Sequence, residues 1–147
     1  MKHIHLPQAP PATSASVRAS MQGNKSLKTK PESILKDELK RAGIRLFIMN
    51  YKRLSGTPDL AFPSAKLAVF LHGCFWHRCP YCNPHFPDSN QEYWSAKFAR
   101  NKRRDTRVRR DLRAQGWRPI VVWECKLKKN PQRIIYRIKK ALKKKHE

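Results

Sequence analysis

Four cysteines, two closely spaced histidines and a few carboxylates set out the chemistry open to this chain. Cys74-x4-Cys79-x2-Cys82 places three thiols on one segment, and the last thiol, Cys125, lies far downstream in Val-Val-Trp-Glu-Cys. Four thiolates are what a closed tetrahedral zinc site requires, and such a site has no open position, so the metal would be structural. Two disulfides or four inert thiols are the other readings of the same residues. With the cysteines on zinc, His72 and His77 are left beside it in His72-Gly-Cys-Phe-Trp-His77. Cutting a phosphodiester takes a divalent cation held by carboxylate and carbonyl oxygens, together with a base that deprotonates water. Asp59, in Thr57-Pro58-Asp59-Leu60, suits the first task and a histidine the second, although Asp after Pro is equally at home in a plain turn. Glu32 and Asp105 are carboxylates on predicted helices in cationic surroundings, where they serve either the site or ordinary salt bridges. Phe75 and Trp76 adjoin the cysteines off any helical or strand period, and such rings either fill a core or stack on and wedge between bases. Trp94 can join them.

The elements that carry these groups follow from periodicity and punctuation. Thr29-Lys-Pro-Glu32 is a capping-box pattern opening a helix whose apolar face is Ile34, Leu35, Leu39 and Ala42, ended by Gly43. Ile44 to Tyr51 has β-favouring composition, Ser55-Gly-Thr-Pro58 is a turn, and Leu60-Ala-Phe62 and Lys66 to Leu71 are strands joined at Pro63-Ser64. The second of these is apolar enough to lie centrally in a sheet and runs straight into His72. Ser89-Asn-Gln-Glu92 is a second capping-box pattern, opening a long helix from about 90 to 114 that Gly116 closes. Arg118 to Glu124 is a strand, which would leave Cys125 at its end. Asn130-Pro131 starts a last helix with Ile134, Ile135, Ile138 and Leu142 inward, fraying over the lysines from Lys139 onward. The order predicts an α/β sandwich around a small mixed sheet.

Length and charge bound the rest. At 147 residues the chain suits one domain, here 29–147 with a lysine-rich tail from about 143, after a Pro-, Ala-, Ser- and Lys-rich arm over residues 1–28. Lys and Arg total 33 against 10 Asp and Glu, a formal charge of +23, which points to a polyanionic partner. No apolar run of roughly 18 residues suits a membrane, so nucleic acid is the expected polyanion. Arg103, Arg104 and the other cations of the long helix, with Lys126-Leu-Lys-Lys129, would hold phosphates without reading sequence. The N-terminus lacks the apolar region of a secretory signal, which predicts a cytoplasmic protein.

Five blocks together resemble the very short patch repair (Vsr) mismatch endonucleases, of the restriction-endonuclease-like PD-(D/E)xK fold. They are Thr29-Lys-Pro-Glu32, Pro58-Asp59, Val-Phe-Leu-His72-Gly-Cys-Phe-Trp-His77, the Tyr93-Trp94 helix with Asn101 and Asp105, and Gly116-Trp-Arg through Val-Trp-Glu-Cys125. The resemblance covers roughly residues 18 to 142. It implies a three-layer restriction-endonuclease-like sandwich, and a Mg²⁺-dependent, strand-specific nick at a T:G mismatch left by 5-methylcytosine deamination, which starts a short resynthesis. It also implies that Asp59 and the backbone carbonyl of Leu71 hold Mg²⁺, that His77 activates water with Asp105 supporting it, and that His72 and Glu32 complete the site. Phe75, Trp76 and Trp94 match the rings that enter the base stack beside the mismatch, and Asn101, Arg103 and Arg104 fall within the DNA-binding set. Departures are the missing second-acid-x-Lys after Asp59, with Phe70-Leu-His72 in its place, and Cys79 and Cys82 where some relatives use histidine or a shifted cysteine.

Two competing readings remain at this level. One is a nuclease of the same fold with a different DNA specificity. The other is a non-catalytic basic zinc module that binds nucleic acid, which leaves Asp59, His72 and His77 without a joint role. A nick needs one active site, so a monomer is expected, with further partners drawn from mismatch repair.

Overall fold

The computed structural model describes residues 4–10 and 30–144; Thr29, with its expected cap, and most of the expected arm lie outside the described residues. Helix α1 is Lys30–Arg41. Its end has a physical reason: Gly43 takes φ +80°, and the N–H groups of Gly43 and Ile44 donate to the carbonyls of Lys40 and Leu39 at 3.0 and 2.9 Å. That pair of bonds satisfies the last carbonyls of the helix, with Ile44 packed near Leu39.

A four-stranded sheet follows in the spatial order β1-β2-β3-β4. Strands β1 (Ile48–Met49), β2 (Leu60–Phe62) and β3 (Leu67–His72) are antiparallel neighbours, and β4 (Arg118–Trp123) lies parallel to β3. The sheet is therefore mixed, with β3 inside it, as its apolar run predicts. Strand β1 is only two residues of the stretch expected to be extended. Pro119 is accommodated because β4 is an edge, where one side of the strand needs no ladder bond.

Helices cover both faces. On one, α1 packs with α4 (Glu124–Lys129) and α5 (Pro131–Lys143) over Leu60, Phe62, Leu67, Val69 and Val122. On the other, α3 (Gln91–Ala114) lays Val108 and Leu112 on Ala68 and Phe70. The two-residue period of β3 sorts its side chains between these layers: Leu67 and Val69 face one, Ala68 and Phe70 the other. His72 continues the second series. Gly116, at φ +80°, closes α3 through Gly116 N–H to Arg113 O and Trp117 N–H to Leu112 O, the same device that ends α1.

Several boundaries differ from expectation. Asn90 sits at φ 56° with no side-chain cap bond, so the Ser89-Glu92 box does not form and α3 starts at Gln91. The cysteine segment is not wholly irregular, because Cys74–His77 is one helical turn, α2. Strand β4 ends at Trp123, and Cys125 lies in the first turn of α4 rather than at a strand end. The lysines from Lys139 to Lys143 are helical, held by an amphipathic face that buries Ile134, Ile135 and Ile138. The expected cap of that helix is present: Asn130 Oδ1 accepts from Arg133 N–H at 3.2 Å. Among the described residues no helix is long and apolar enough to cross a membrane.

Candidate active site

The parallel register of β3 and β4 brings the four cysteines together. His72 pairs with Trp123, so the chain leaves both strands at one level and brings Cys74 beside Cys125, whose N–H donates to Cys74 Sγ at 3.4 Å. Cys79 follows the turn of α2, its N–H returning to Cys74 O at 2.9 Å, and Tyr81 N–H donates to Cys79 Sγ at 3.4 Å. All four thiols are free, and their sulfurs lie within 4.8 Å of one another. Cys79 Sγ and Cys125 Sγ are 3.7 Å apart. A Zn–S bond of about 2.3 Å gives a tetrahedral edge of about 3.8 Å, so the spacing fits a four-thiolate site. Burial pushes the Cys74 thiol up, whereas at Cys79 the backbone N–H groups of Cys82 and Tyr81 outweigh burial and hold the thiol below its usual range.

The same turn folds His77 back over His72. Their rings stack at 3.8 Å between centroids with an 8° interplanar angle, and His72 also meets Trp123 edge-on at 5.2 Å. His77 Nδ1–H donates to Asp105 Oδ2 at 2.6 Å. Burial raises the Asp105 carboxyl, but its hydrogen bond to His77, with the nearby imidazoles and the Arg104 guanidinium, pulls it below the usual range. An ionised Asp105 accepts only, which fixes the proton on Nδ1 and leaves Nε2 of His77 to take another. His72, 7% exposed, is held neutral: burial first, and then the neighbouring His77, lower its pKa to about 4.

Asp59 stands at the start of β2, where its Oδ2 accepts from Leu71 N–H at 2.6 Å. Burial raises its pKa against the Leu71 bond and a side-chain hydrogen bond with Glu32, which reaches it from α1. Two carboxyls can bond in this way only by sharing a proton. In a strand the N–H and C=O of one residue face the same edge, so the Leu71 carbonyl is on the side of Asp59. Two acids and a carbonyl are hard oxygen donors, a set that fits Mg²⁺ better than a thiophilic metal.

Asp59, Leu71, His72, His77 and Asp105 line one cleft of about 410 Å³. Glu32 supports Asp59 without lining it. The cleft also holds residues that sequence reasoning did not assign, namely Gly56, Thr57 and Arg109. The Gly in the Ser55–Pro58 turn was the available signal for the first. A Cβ there would sit 2.4 Å from Val108 Cγ1, and Gly56 takes φ +75°, so only glycine lets the turn approach α3. Arg104 lines the rim, whereas Arg103, one residue away on the helix, does not line the cleft.

The aromatic residues form a cluster on α2 and α3. Phe75 meets Trp76, Trp94 and Phe98 edge-on at 5.1, 5.4 and 5.4 Å, and Trp94, 8% exposed, stacks on Phe98. Phe75 and Trp76 are on a helical turn after all and remain half-buried, so they are the accessible rings of the set. Arg78 covers the cluster, 4.6 Å from the Phe98 centroid, and donates to Pro84 O at 2.6 Å. Asn101 donates to Trp76 O at 3.1 Å, which ties α2 to α3.

The family profile described as DNA mismatch endonuclease Vsr matches residues 12–83. A Type II nicking enzyme, V.XorIIP of Xanthomonas oryzae pv. oryzae, is 44% identical over 110 residues, 75% of this chain and 80% of that protein. The chain belongs to the Vsr endonuclease family. The Type II nicking enzyme V.NmeAIP of Neisseria meningitidis is 40% identical over 70% of this chain and 73% of its own length. The DNA mismatch endonuclease Vsr of Escherichia coli K12 is 37% identical over 75 residues, 51% of this chain and 48% of that protein. Membership in the Vsr family makes the chain a DNA-nicking endonuclease, and the non-catalytic zinc module falls.

Proposed function

We propose that this Vsr-family endonuclease makes a Mg²⁺-dependent, strand-specific nick at T:G mismatches arising from 5-methylcytosine deamination, and so starts very short patch repair. The observation that carries the reading is the His77–Asp105 pair at 2.6 Å in a cleft shared with Asp59. A base and a carboxylate site for a hard cation, facing one cleft in a protein of charge +23, are the parts that hydrolysis of a DNA phosphodiester requires.

In this reading Asp59 and the Leu71 carbonyl hold Mg²⁺, with Glu32 giving up the proton it shares with Asp59. The cation would polarise the phosphate and lower the pKa of water. His77 takes the proton of the attacking water on Nε2. Asp105 keeps the His77 ring in the tautomer that can do so, and neutral His72 holds its plane by stacking. Phe75 and Trp76 enter the base stack, joined by Trp94 on opening of the ring cluster, and Asn101, Arg103 and Arg104 hold the backbone nearby. The four cysteines hold a structural Zn²⁺ that fixes α2, and with it His77 and both rings, against β4. The fold is the restriction-endonuclease-like sandwich, acting as a monomer in the cytoplasm with mismatch-repair proteins downstream.

A second reading, nicking of DNA with another specificity, is favoured by the names of V.XorIIP and V.NmeAIP, which are Type II nicking enzymes. One panel separates the two. Duplexes differing only in T:G, T:A, T:C or C:G at one position are incubated with and without Mg²⁺, and each strand is followed by its own label. Nicking confined to the T strand of T:G, and only with Mg²⁺, is expected. Equal cutting of the T:A duplex would select the second reading.

A further inference from the structure

The cleft contains one cation whose place is not explained by general attraction to DNA. Arg109 lies four residues after Asp105 on α3, one turn along the same face, and lines the cleft with Asp59, His72 and His77. It is half-buried, whereas the neighbouring cations Arg104, Arg107 and Arg110 are exposed. We infer that Arg109 binds the non-bridging oxygens of the scissile phosphate and stabilises the charge that builds on them during attack. The inference rests on the endonuclease reading of this cleft and adds a catalytic residue to it.

Three observations support the assignment. Helix spacing makes Asp105 the natural partner of Arg109, but the Asp105 carboxylate is held by His77 Nδ1–H at 2.6 Å. Among the described residues no carboxylate lies within 4.0 Å of the Arg109 guanidinium, although the helix offers ion pairs elsewhere, as at Arg110 and Asp111. A half-buried guanidinium without a counter-charge is costly, and an incoming phosphate offsets that cost. Finally, the charge of Arg109 acts on His72, as that of Arg104 also does, and the His72 ring stacks on His77 at 3.8 Å, so the guanidinium lies within electrostatic reach of the histidine pair.

The chemical step balances without a proton from Arg109. The oxygen of water bonds to phosphorus, its proton passes to Nε2 of His77, and the bond from phosphorus to the leaving ribose oxygen breaks. That oxygen takes a proton from solvent. The guanidinium stays charged throughout, and its planar fork can meet two phosphate oxygens at once, which a lysine cannot do. Donors that grip the charge as it develops accelerate the step rather than the binding.

The test measures single-turnover nicking at saturating enzyme, and binding of the uncut duplex with Ca²⁺ in place of Mg²⁺. Arg109→Gln should lower the nicking rate about 100-fold with Kd within about threefold of wild type. Arg109→Lys should recover part of the loss and stay about tenfold slow. A Gln variant that nicks within threefold of wild type overturns the inference, as does a defect that vanishes when the DNA is saturated. Should the Gln variant melt well below wild type, the Lys variant decides alone, and a wild-type rate for it overturns the inference. Failure of the wild-type protein to nick a T:G duplex while it nicks a matched one counts against the mismatch specificity only, and the same rates are then compared on the matched duplex.

Discussion

His72 and His77 have stacked rings, yet their surroundings give them different states. His77 is hydrogen-bonded to an ionised Asp105 at 2.6 Å, and His72 is buried with its pKa lowered to about 4. Between about 4 and the ordinary 6.5, the unfolded chain therefore binds more protons at this position than the folded one. Stability from His72 is complete above the unfolded value and is lost as pH falls toward the folded one. Urea unfolding from pH 7 to 4.5 should show that loss, and His72→Gln should make the decline shallower; an unchanged slope would remove His72 as its source. At Asp59 the expectation is kinetic. Asp59→Asn keeps the shape but removes the charge that holds a hard cation, so nicking should fall at least about 1000-fold while Kd moves less than about threefold, read by gel and by anisotropy. The chemistry of these residues was legible in the sequence because His, Cys and Asp are scarce there and cluster. Arg109 was not, since it is one of many cations on α3, and only the azimuth of the packed helix shows which of them turns inward. Gly56 was read as a turn, but its 2.4 Å limit against Val108 depends on how closely the turn approaches α3.

At the scale of elements, the apolar faces of α1 and α5 and the continuous apolar run of β3 predicted two packed helices and the central strand, because burial is what selects those patterns. The errors lie where local rules compete with tertiary ties. Asn90 adopts a left-handed conformation instead of the Ser89 cap, and Cys74–His77 coils into a turn too short for any period to announce. That turn is fixed from outside its own sequence, by Asn101 on Trp76 O and by Cys125 beside Cys74. Zinc at the four thiols would clamp α2 to α4, so its loss should affect the catalytic elements more than the apolar core on the far face. About one zinc per chain is expected by elemental analysis. Cys125→Ala should abolish it, lower the melting temperature by about 10 °C, and reduce nicking by displacing His77. Retention of zinc by that variant would exclude Cys125 as a ligand.

For the whole molecule, the formal charge of +23 announces a polyanion but not the face that meets it. The fold supplies the face. Cleft, aromatic cluster and the exposed arginines of α3 lie on one side of the sheet, whereas Lys139 and Lys140 belong to α5 in the opposite layer. Each phosphate contact releases a condensed counterion, so the slope of log K against log salt counts contacts rather than total charge. With about six to ten contacts, affinity for a duplex should fall about 10³- to 10⁵-fold between about 50 and 200 mM salt. Arg104→Gln and Arg107→Gln should each reduce the slope by about one, whether or not the duplex carries a mismatch, because phosphates have no sequence. Lys139→Gln and Lys140→Gln should leave it unchanged, although each removes the same formal charge. If all four variants change the slope equally, the protein behaves as a diffuse cation, and a DNA face centred on α3 is the wrong description of how this chain meets its substrate.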